Sequence, residues 1–204
     1  MTDQAQPPSA RKTELLEAAY AFALANGLAD LSLRPLSAAI GTSPRVLLYL
    51  FGSKEGLIRA LLARARQDEL RMLDELRRQH PQADLPSATL EVWRWLSDPG
   101  HRNLLKVWIE GYARSLVEPD GPWRDFGRQT VGDWLDVLAL YQPPRRRSTA
   151  AGLTERTAAL SLLRGALLDL LASGDRDRTT AALQMGLRRD RAALATAGTT
   201  SKPI

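Results

Sequence analysis

From residue 10 to residue 194 the apolar side chains recur at steps of three and four, and almost nowhere at steps of two. A period near 3.6 marks one face of an α-helix, whereas a half-buried strand alternates at two. The chain is therefore expected to be all-α, and its helix breakers divide it. Gly27 stops a helix that begins near Ala10 and lines up Leu15, Ala18, Ala19, Phe22 and Ala23 on one face. Ser32 is a good N-cap for a short helix from Leu33 to Ile40. Gly41-Thr42-Ser43 reads as a tight turn. Ser43 then caps a second short helix ending near Phe51, and Pro44 suits its first position because the missing N–H there has no partner anyway. After Gly52, Ser53 caps a long helix from Lys54 to Gln79. Pro81 and Pro86 mark a linker. Further helices are expected over 87–97, 101–117, 122–141, 153–173 and 176–194, about nine in all. Residues 1–9, polar with two prolines, read as a disordered arm, and residues 195–204 as a flexible tail.

Composition narrows the function classes. The 204 residues are 44% hydrophobic, enough for one large domain or two small ones. There is no Cys, and His80 and His101 stand far apart without Cys partners, so no disulfide, thiolate chemistry, metal site or cofactor is expected. No run of 18 apolar residues is present to span a membrane, and the N-terminus lacks the apolar segment of a signal peptide, so a cytoplasmic location is expected. The net charge is +5, spread thinly: residues 1–66 carry 8 basic and 5 acidic groups, residues 67–204 carry 20 and 18. That balance permits nucleic-acid binding without establishing it.

The stretch GTSPRVLLYLFGSKEGL, residues 41–57, carries two helix starts ten residues apart. At 100° per residue, Val46, Leu47, Leu50 and Phe51 share one arc of the short helix, while Arg45, Leu48 and Tyr49 lie opposite. The first set is expected to pack on Leu33, Leu36 and Ile40, leaving the second outward. A helix entering a major groove about 12 Å wide by its N-terminus would bring Arg45 to guanine O6 and N7. Thr42, Ser43 and Tyr49 would reach phosphates, and Leu48 would offer apolar contact, for example to a thymine methyl. Ser32 and Lys54 stand at helix N-termini, which attract anions. Glu55 is better read as a first-turn carboxylate balancing the helix dipole. A lone Arg and Tyr on a short helix are also what a merely solvated face looks like.

LSLRPLSAAIGTSPRVLLYLFGSKEGL resembles the N-terminal domain of TetR-family transcriptional regulators, through Leu33, Leu36, Ile40, Gly41, Ser43, Tyr49, Phe51, Ser53, Lys54, Glu55 and Leu57. RKTELLEAAYAFALANG resembles that family's first helix, so the likeness covers roughly residues 10–63. Leu50 departs from it, standing where many members carry His or Tyr. The resemblance implies a helix-turn-helix DNA-binding domain over 10–53, a connecting helix over 54–79 and a regulatory and dimerisation domain over 80–194. It implies double-stranded DNA as partner, with Ser32, Thr42, Ser43, Pro44, Arg45, Leu48, Tyr49 and Lys54 at the contact.

All five Trp residues lie in the rear part. Stripes at helical spacing run through Leu104, Leu105, Trp108 and Tyr112, and through Trp123, Phe126, Thr130, Trp134 and Leu138. They fit a plain core as well as a pocket wall. With Trp95, and with Glu110, Arg114 and Asp133 as polar anchors, they are the candidate ligand residues that the resemblance implies. Residues 153–173 are apolar on almost every side and must be buried on two. A second copy is the simplest partner, and the family likeness implies a homodimer interface at Leu160, Leu163, Leu167, Leu170, Leu171, Leu183 and Leu187. Pro143-Pro144-Arg145-Arg146-Arg147 reads as a basic, solvated loop. The expected function is a homodimeric repressor released from a palindromic operator by a small hydrophobic or amphipathic ligand. The alternatives are a regulator answering to a protein partner or to no effector and, more distantly, a helical enzyme using Asp98, His101 and Glu110. No Ser-His-Asp order, Gly-rich phosphate loop or metal cluster supports the enzyme.

Overall fold

The computed structural model of the chain describes residues 10–28, 31–118 and 120–199, with 189–199 as backbone alone. The expected arm over 1–9 and the last five residues of the expected tail lie outside them. The elements are α1 (Ala10–Asn26), α2 (Leu33–Ala39), α3 (Pro44–Phe51), α4 (Lys54–Gln79), α5 (Leu85–Leu96), α6 (Arg102–Val117), α7 (Phe126–Ala139), α8 (Pro144–Arg147), α9 (Ala150–Ser173) and α10 (Arg176–Thr199). A 3-10 turn, Pro99–His101, precedes α6. The fold is all-α, and among the described residues there is no strand.

Two compact units form, and they interleave along the chain. One holds the residues up to Glu69 together with Asn103–Gln129; the other holds Leu70–Arg102 and the residues from Thr130 on. Helices α4 and α7 each contribute to both.

In the first unit, Leu15, Ala19, Tyr20 and Ala23 of α1, Leu36 of α2, Leu47 of α3, and Leu57, Leu61, Leu62 and Ala65 of α4 are buried together with Trp108 of α6. Gly111 lets α6 come close, since a Cβ there would lie 2.8 Å from Leu62 Cδ2 and 3.1 Å from Phe126 Cε1. Polar ties fasten the elements. The Arg64 guanidinium lies over the Tyr20 ring at 4.8 Å. Its Nε donates to Glu17 and its Nη1 to Asp68, both at 2.6 Å, joining α1 to α4. Burial pushes the Tyr20 phenol far above its ordinary range. Across a long stretch of chain, the Leu28 N–H donates to Glu110 Oε2 at 2.7 Å. Because Leu28 is fully buried, Glu110→Ala leaves that N–H without its acceptor. The expected loss is about 1.5–3 kcal/mol of stability, the range for a hydrogen bond to a charged group. Glu110→Gln keeps an acceptor oxygen and is expected to cost less; thermal unfolding of the two variants checks this.

In the second unit, α9 packs on α5 and α10. Its buried Leu160, Leu163, Leu167 and Leu170 join Val92, Trp93 and Leu96 of α5 and Leu183 and Leu187 of α10. The Trp93 indole donates to Thr180 Oγ1 at 2.8 Å. At the α9–α10 corner the Arg178 fork bonds both oxygens of Asp169, each at 2.7 Å. That fork holds the Asp169 carboxyl below its ordinary range. A depressed folded value means the contribution is present above the unfolded value, about pH 4, and is lost as pH falls below it.

Several expected boundaries shift for local reasons. The helix expected over 122–141 begins only at Phe126, because Asp125 has a left-handed φ of 67° and 3-10-type bonds link Arg124 N–H to Gly121 O and Phe126 N–H to Trp123 O. Thr149 accepts from the Gly152 N–H and starts α9 at Ala150. Asp84 accepts from the Ser87 N–H and starts α5 at Leu85. The basic stretch read as a solvated loop is the short helix α8. There Arg147 donates to the backbone oxygens of Gln142 and Leu140, and Arg146 pairs with Glu155, while Arg145 and Arg147 both stay exposed.

Candidate functional site

The short helix is defined at both ends by its own chemistry. Ser43 Oγ accepts from the Val46 N–H at 3.3 Å, and Pro44 occupies the first turn. Gly52, at φ 79°, stops the helix and donates its N–H to Leu48 O at 2.8 Å. A residue with a side chain is strained at such a φ. Ser53 Oγ then accepts from the Gly56 N–H at 3.0 Å and launches α4. Glu55 sits in the first turn of α4, its carboxyl held below the ordinary range first by its own backbone N–H and then by the Ser53 hydroxyl.

Leu47 is the buried residue of α3. Tyr49 is 87% exposed, Leu48 41% and Val46 37%, and Arg45 is exposed beside them. Leu50 and Phe51 are half-buried, with the Lys12 ammonium 5.5 Å from the Phe51 ring centroid. Val46 therefore corrects the expected division of faces: Leu47, Leu50 and Phe51 keep the inward side, while the turn that carries Arg45 and Tyr49 carries Val46 outward as well. Ser32 is exposed at the N-cap of α2, and its hydroxyl makes no capping bond. Thr42, Pro44 and Lys54 are half-buried. All the candidate DNA-contact residues belong to the first unit, on or flanking α2, α3 and the start of α4.

The candidate ligand residues are divided. Trp108, Glu110, Tyr112, Trp123 and Phe126 belong to the first unit; Trp95, Thr130 and Trp134 belong to the second. Trp108 is buried and donates its indole N–H to Ala65 O at 3.2 Å. Glu110 serves Leu28, as described above. Trp95 stacks on His101 at 3.7 Å between ring centroids, and His101 Nδ1 lies 2.8 Å from Trp95 O. Trp123, Phe126 and Trp134 are buried, as is Thr130, whose hydroxyl has no hydrogen-bond partner.

None of these residues lines the groove of about 410 Å³ in the second unit. Its wall comes from the start of α5 (Leu85, Pro86, Thr89), the α7–α8 corner (Tyr141, Gln142, Pro143), α9 (Ala158, Ala159) and Leu187 of α10. Its charged lining residues are Asp84, Arg146 and Glu155. Gln142 is buried there and donates Nε2 to Gly152 O at 2.8 Å and to Glu155 Oε2 at 3.0 Å. Burial raises the Tyr141 phenol above its ordinary value. No sequence pattern pointed to this groove, because its lining comes from four elements remote along the chain.

The leucines expected at a dimer interface fill the core of a single chain instead: Leu160, Leu163, Leu167, Leu170, Leu183 and Leu187 are buried and Leu171 is half-buried. The outward stripe of α9 is Leu153, Thr157, Ser161, Gly165 and Leu168, with Met185 exposed on α10.

Residues 15–61 match the family model described as bacterial regulatory proteins, tetR family. Over this segment the chain is similar to the TetR family. Most of the chain is also similar in fold to solved structures. One is described as a TetR-family transcriptional regulator from Rhodococcus sp., with 19% identity, 88% of this chain and 98% of that one covered, and a TM-score of 0.67. Another is the multidrug binding protein EbrR complexed with ethidium, at 21% identity, 89% and 99% coverage and a TM-score of 0.64. A third is described as a transcriptional regulator from Saccharomonospora viridis in complex with choline, at 18% identity, 88% and 94% coverage and a TM-score of 0.65. Comparison by sequence with curated proteins finds no match. The TetR-family segment ends inside α4, within the first unit, so α3 and its caps all fall inside the match.

Proposed function

We propose that this chain is a sequence-specific DNA-binding transcriptional regulator, a homodimeric repressor released from a palindromic operator by a small hydrophobic or amphipathic ligand. The observation that carries the DNA-binding reading is the outward face of α3, where Arg45 and the almost fully exposed Tyr49 stand on a helix capped at its tip, within the TetR-family match. Ser32, Thr42, Ser43 and Lys54 supply hydroxyls, backbone N–H groups and a cation to phosphates, which fix register, while Arg45 addresses a base edge. Selection of binding sites from a randomised duplex library with the purified chain tests the reading. A palindromic consensus is the expected result, with half-sites about one helical turn apart, and a chain that enriches no sequence sinks it.

The homodimer is supported by the outward stripe of α9, which carries no charge from Leu153 to Leu168. A two-fold interface is self-complementary, so one substitution is felt twice. Leu168→Arg places two cations in the contact and is expected to give a monomer at concentrations where the parent chain sediments as a dimer. Sedimentation velocity checks this, and an unchanged dimer would move the interface elsewhere.

The effector seat we assign is the groove beside α5, α9 and α10. Its size falls within the range of small-molecule sites, about 300–1,000 Å³, and its mostly apolar walls with a few charged groups suit an amphipathic ligand. EbrR with ethidium and the Saccharomonospora viridis protein with choline lend support to cationic ligands. Helix α4 contributes to both units and is the element through which occupancy would reach α3. Calorimetric titration with organic cations, followed by gel shift with the selected operator, tests the coupling. A bound cation that leaves operator affinity unchanged refutes it.

A further inference from the structure

We infer that α3 reads its half-site through thymine methyl groups and a single guanine, with Val46 and Leu48 as specificity-determining residues and no direct reader of adenine or cytosine. The inference rests on the DNA-binding reading above and goes beyond it to the chemistry of the operator.

The major groove presents four distinct edges, and each asks for a different side chain. Guanine is met by Arg or Lys through O6 and N7; adenine by the carboxamide of Asn or Gln; the cytosine amino group by Asp or Glu; and the thymine C5-methyl by an apolar group. Between Ser32 and Lys54 this chain has no Asn, Gln, Asp, Glu or His. The outward side chains of α2 are Arg34, Pro35, Ala38 and Ala39, and those of α3 are Arg45, Val46, Leu48 and Tyr49. Arg45 is then the one charged donor of α3 able to take a guanine. Ser43 is held as the cap of α3, its oxygen occupied by the Val46 N–H. The hydroxyls of Thr42 and Tyr49 both donate and accept, and so discriminate poorly. What remains is apolar: Val46 and Leu48, exposed on a helix whose burial is carried by Leu47. Branched aliphatic side chains left in water on a reading helix gain by closing over a methyl group. The base carrying that methyl is thymine, or 5-methylcytosine at the same place in the groove.

The test uses the full chain and the duplex it selects from a random library. Deoxyuridine is substituted for thymidine one position at a time; it removes only the C5-methyl and leaves pairing intact. At one or two positions in each half-site, affinity is expected to fall about fourfold, which is about 0.8 kcal/mol, the worth of one buried carbon group. Substitution in both half-sites squares the factor. Deoxyuridine in the flanks should change nothing. At the sensitive position, a 5-methylcytosine·guanine pair should bind better than cytosine·guanine by a similar factor. The Val46→Ala/Leu48→Ala variant, which alters only exposed side chains, should lose the deoxyuridine penalty while keeping its preference for the guanine. Uniform tolerance of deoxyuridine by the parent chain overturns the inference, as does a penalty that survives unchanged in the double variant. If the library yields no enriched sequence, it is the DNA-binding reading itself that fails, before any methyl group is altered.

Discussion

Replacing Arg45 and Tyr49 together by alanine is expected to weaken binding to the selected operator by about 100-fold or more while leaving thermal stability unchanged. One bidentate Arg–guanine pair carries about 1–3 kcal/mol of discrimination, and a dimer makes it twice; tenfold in affinity is about 1.4 kcal/mol. Tyr49 adds a phosphate contact in each half-site. Neither side chain is part of the core, Tyr49 being almost wholly in solvent, so unfolding should not register their loss. The single variants separate the roles. Arg45→Ala should relax sequence preference at one position of each half-site. Tyr49→Phe should weaken all sequences alike without changing the salt slope, whereas Lys54→Ala, removing a phosphate-facing charge, should lower that slope by about one per half-site. Fluorescence anisotropy at several salt concentrations reads all of these. An operator affinity that survives the double substitution would mean that α3 is not the reading element.

Leu47→Ala is expected to act in the opposite order, on stability first and on DNA second. Leu47 is 1% exposed and is the buried residue of α3. Truncating a buried leucine costs about 2–5 kcal/mol, from the lost transfer of its carbons and from the cavity they leave. For a helix of 8 residues that loss is not local. A segment so short has no stability of its own in water, and the packing of one face is what keeps it helical. Denaturant titration should show the loss directly, and operator binding should fall with the population of folded reading unit. Leu50→Ala, at a half-buried site on the same helix, should cost less. Equal stability of Leu47→Ala and the parent chain would mean that α3 is held by something other than this side chain.

Much of α3 was legible in advance because its determinants are local. Ser43 and its Val46 N–H lie three residues apart, as do Ser53 and its Gly56 N–H, and Pro44 acts through its own ring. The outward places of Arg45, Leu48 and Tyr49 follow from helical geometry. Val46 did not follow, since a wheel orders side chains around an axis but does not say how wide an arc the neighbours cover. The Leu28 bond of Glu110 is hidden from the sequence for a deeper reason. A carboxylate on an amphipathic helix looks like a pocket anchor or a solvated charge, and nothing near it in sequence betrays that its partner is the Leu28 N–H, 82 residues earlier. Periodicity marks the leucines of α9 as buried on more than one side, but α5 and α10 of the same chain supply that burial. Periodicity reports that a face is covered and is silent on what covers it.

The bond from Leu28 to Glu110 also bears on how such a chain can be rearranged. A reading head that ended at Glu69 would be a convenient part to cut out and fuse to another regulatory body. In this protein the cut would strip away Asn103–Gln129, which belong to the same compact unit. Leu62 would lose the close approach that Gly111 permits. Ala65 would lose the indole that bonds its oxygen, and the corner after α1 would lose its acceptor. The smallest transferable piece is thus discontinuous, and a working chimera has to exchange two stretches of gene rather than one.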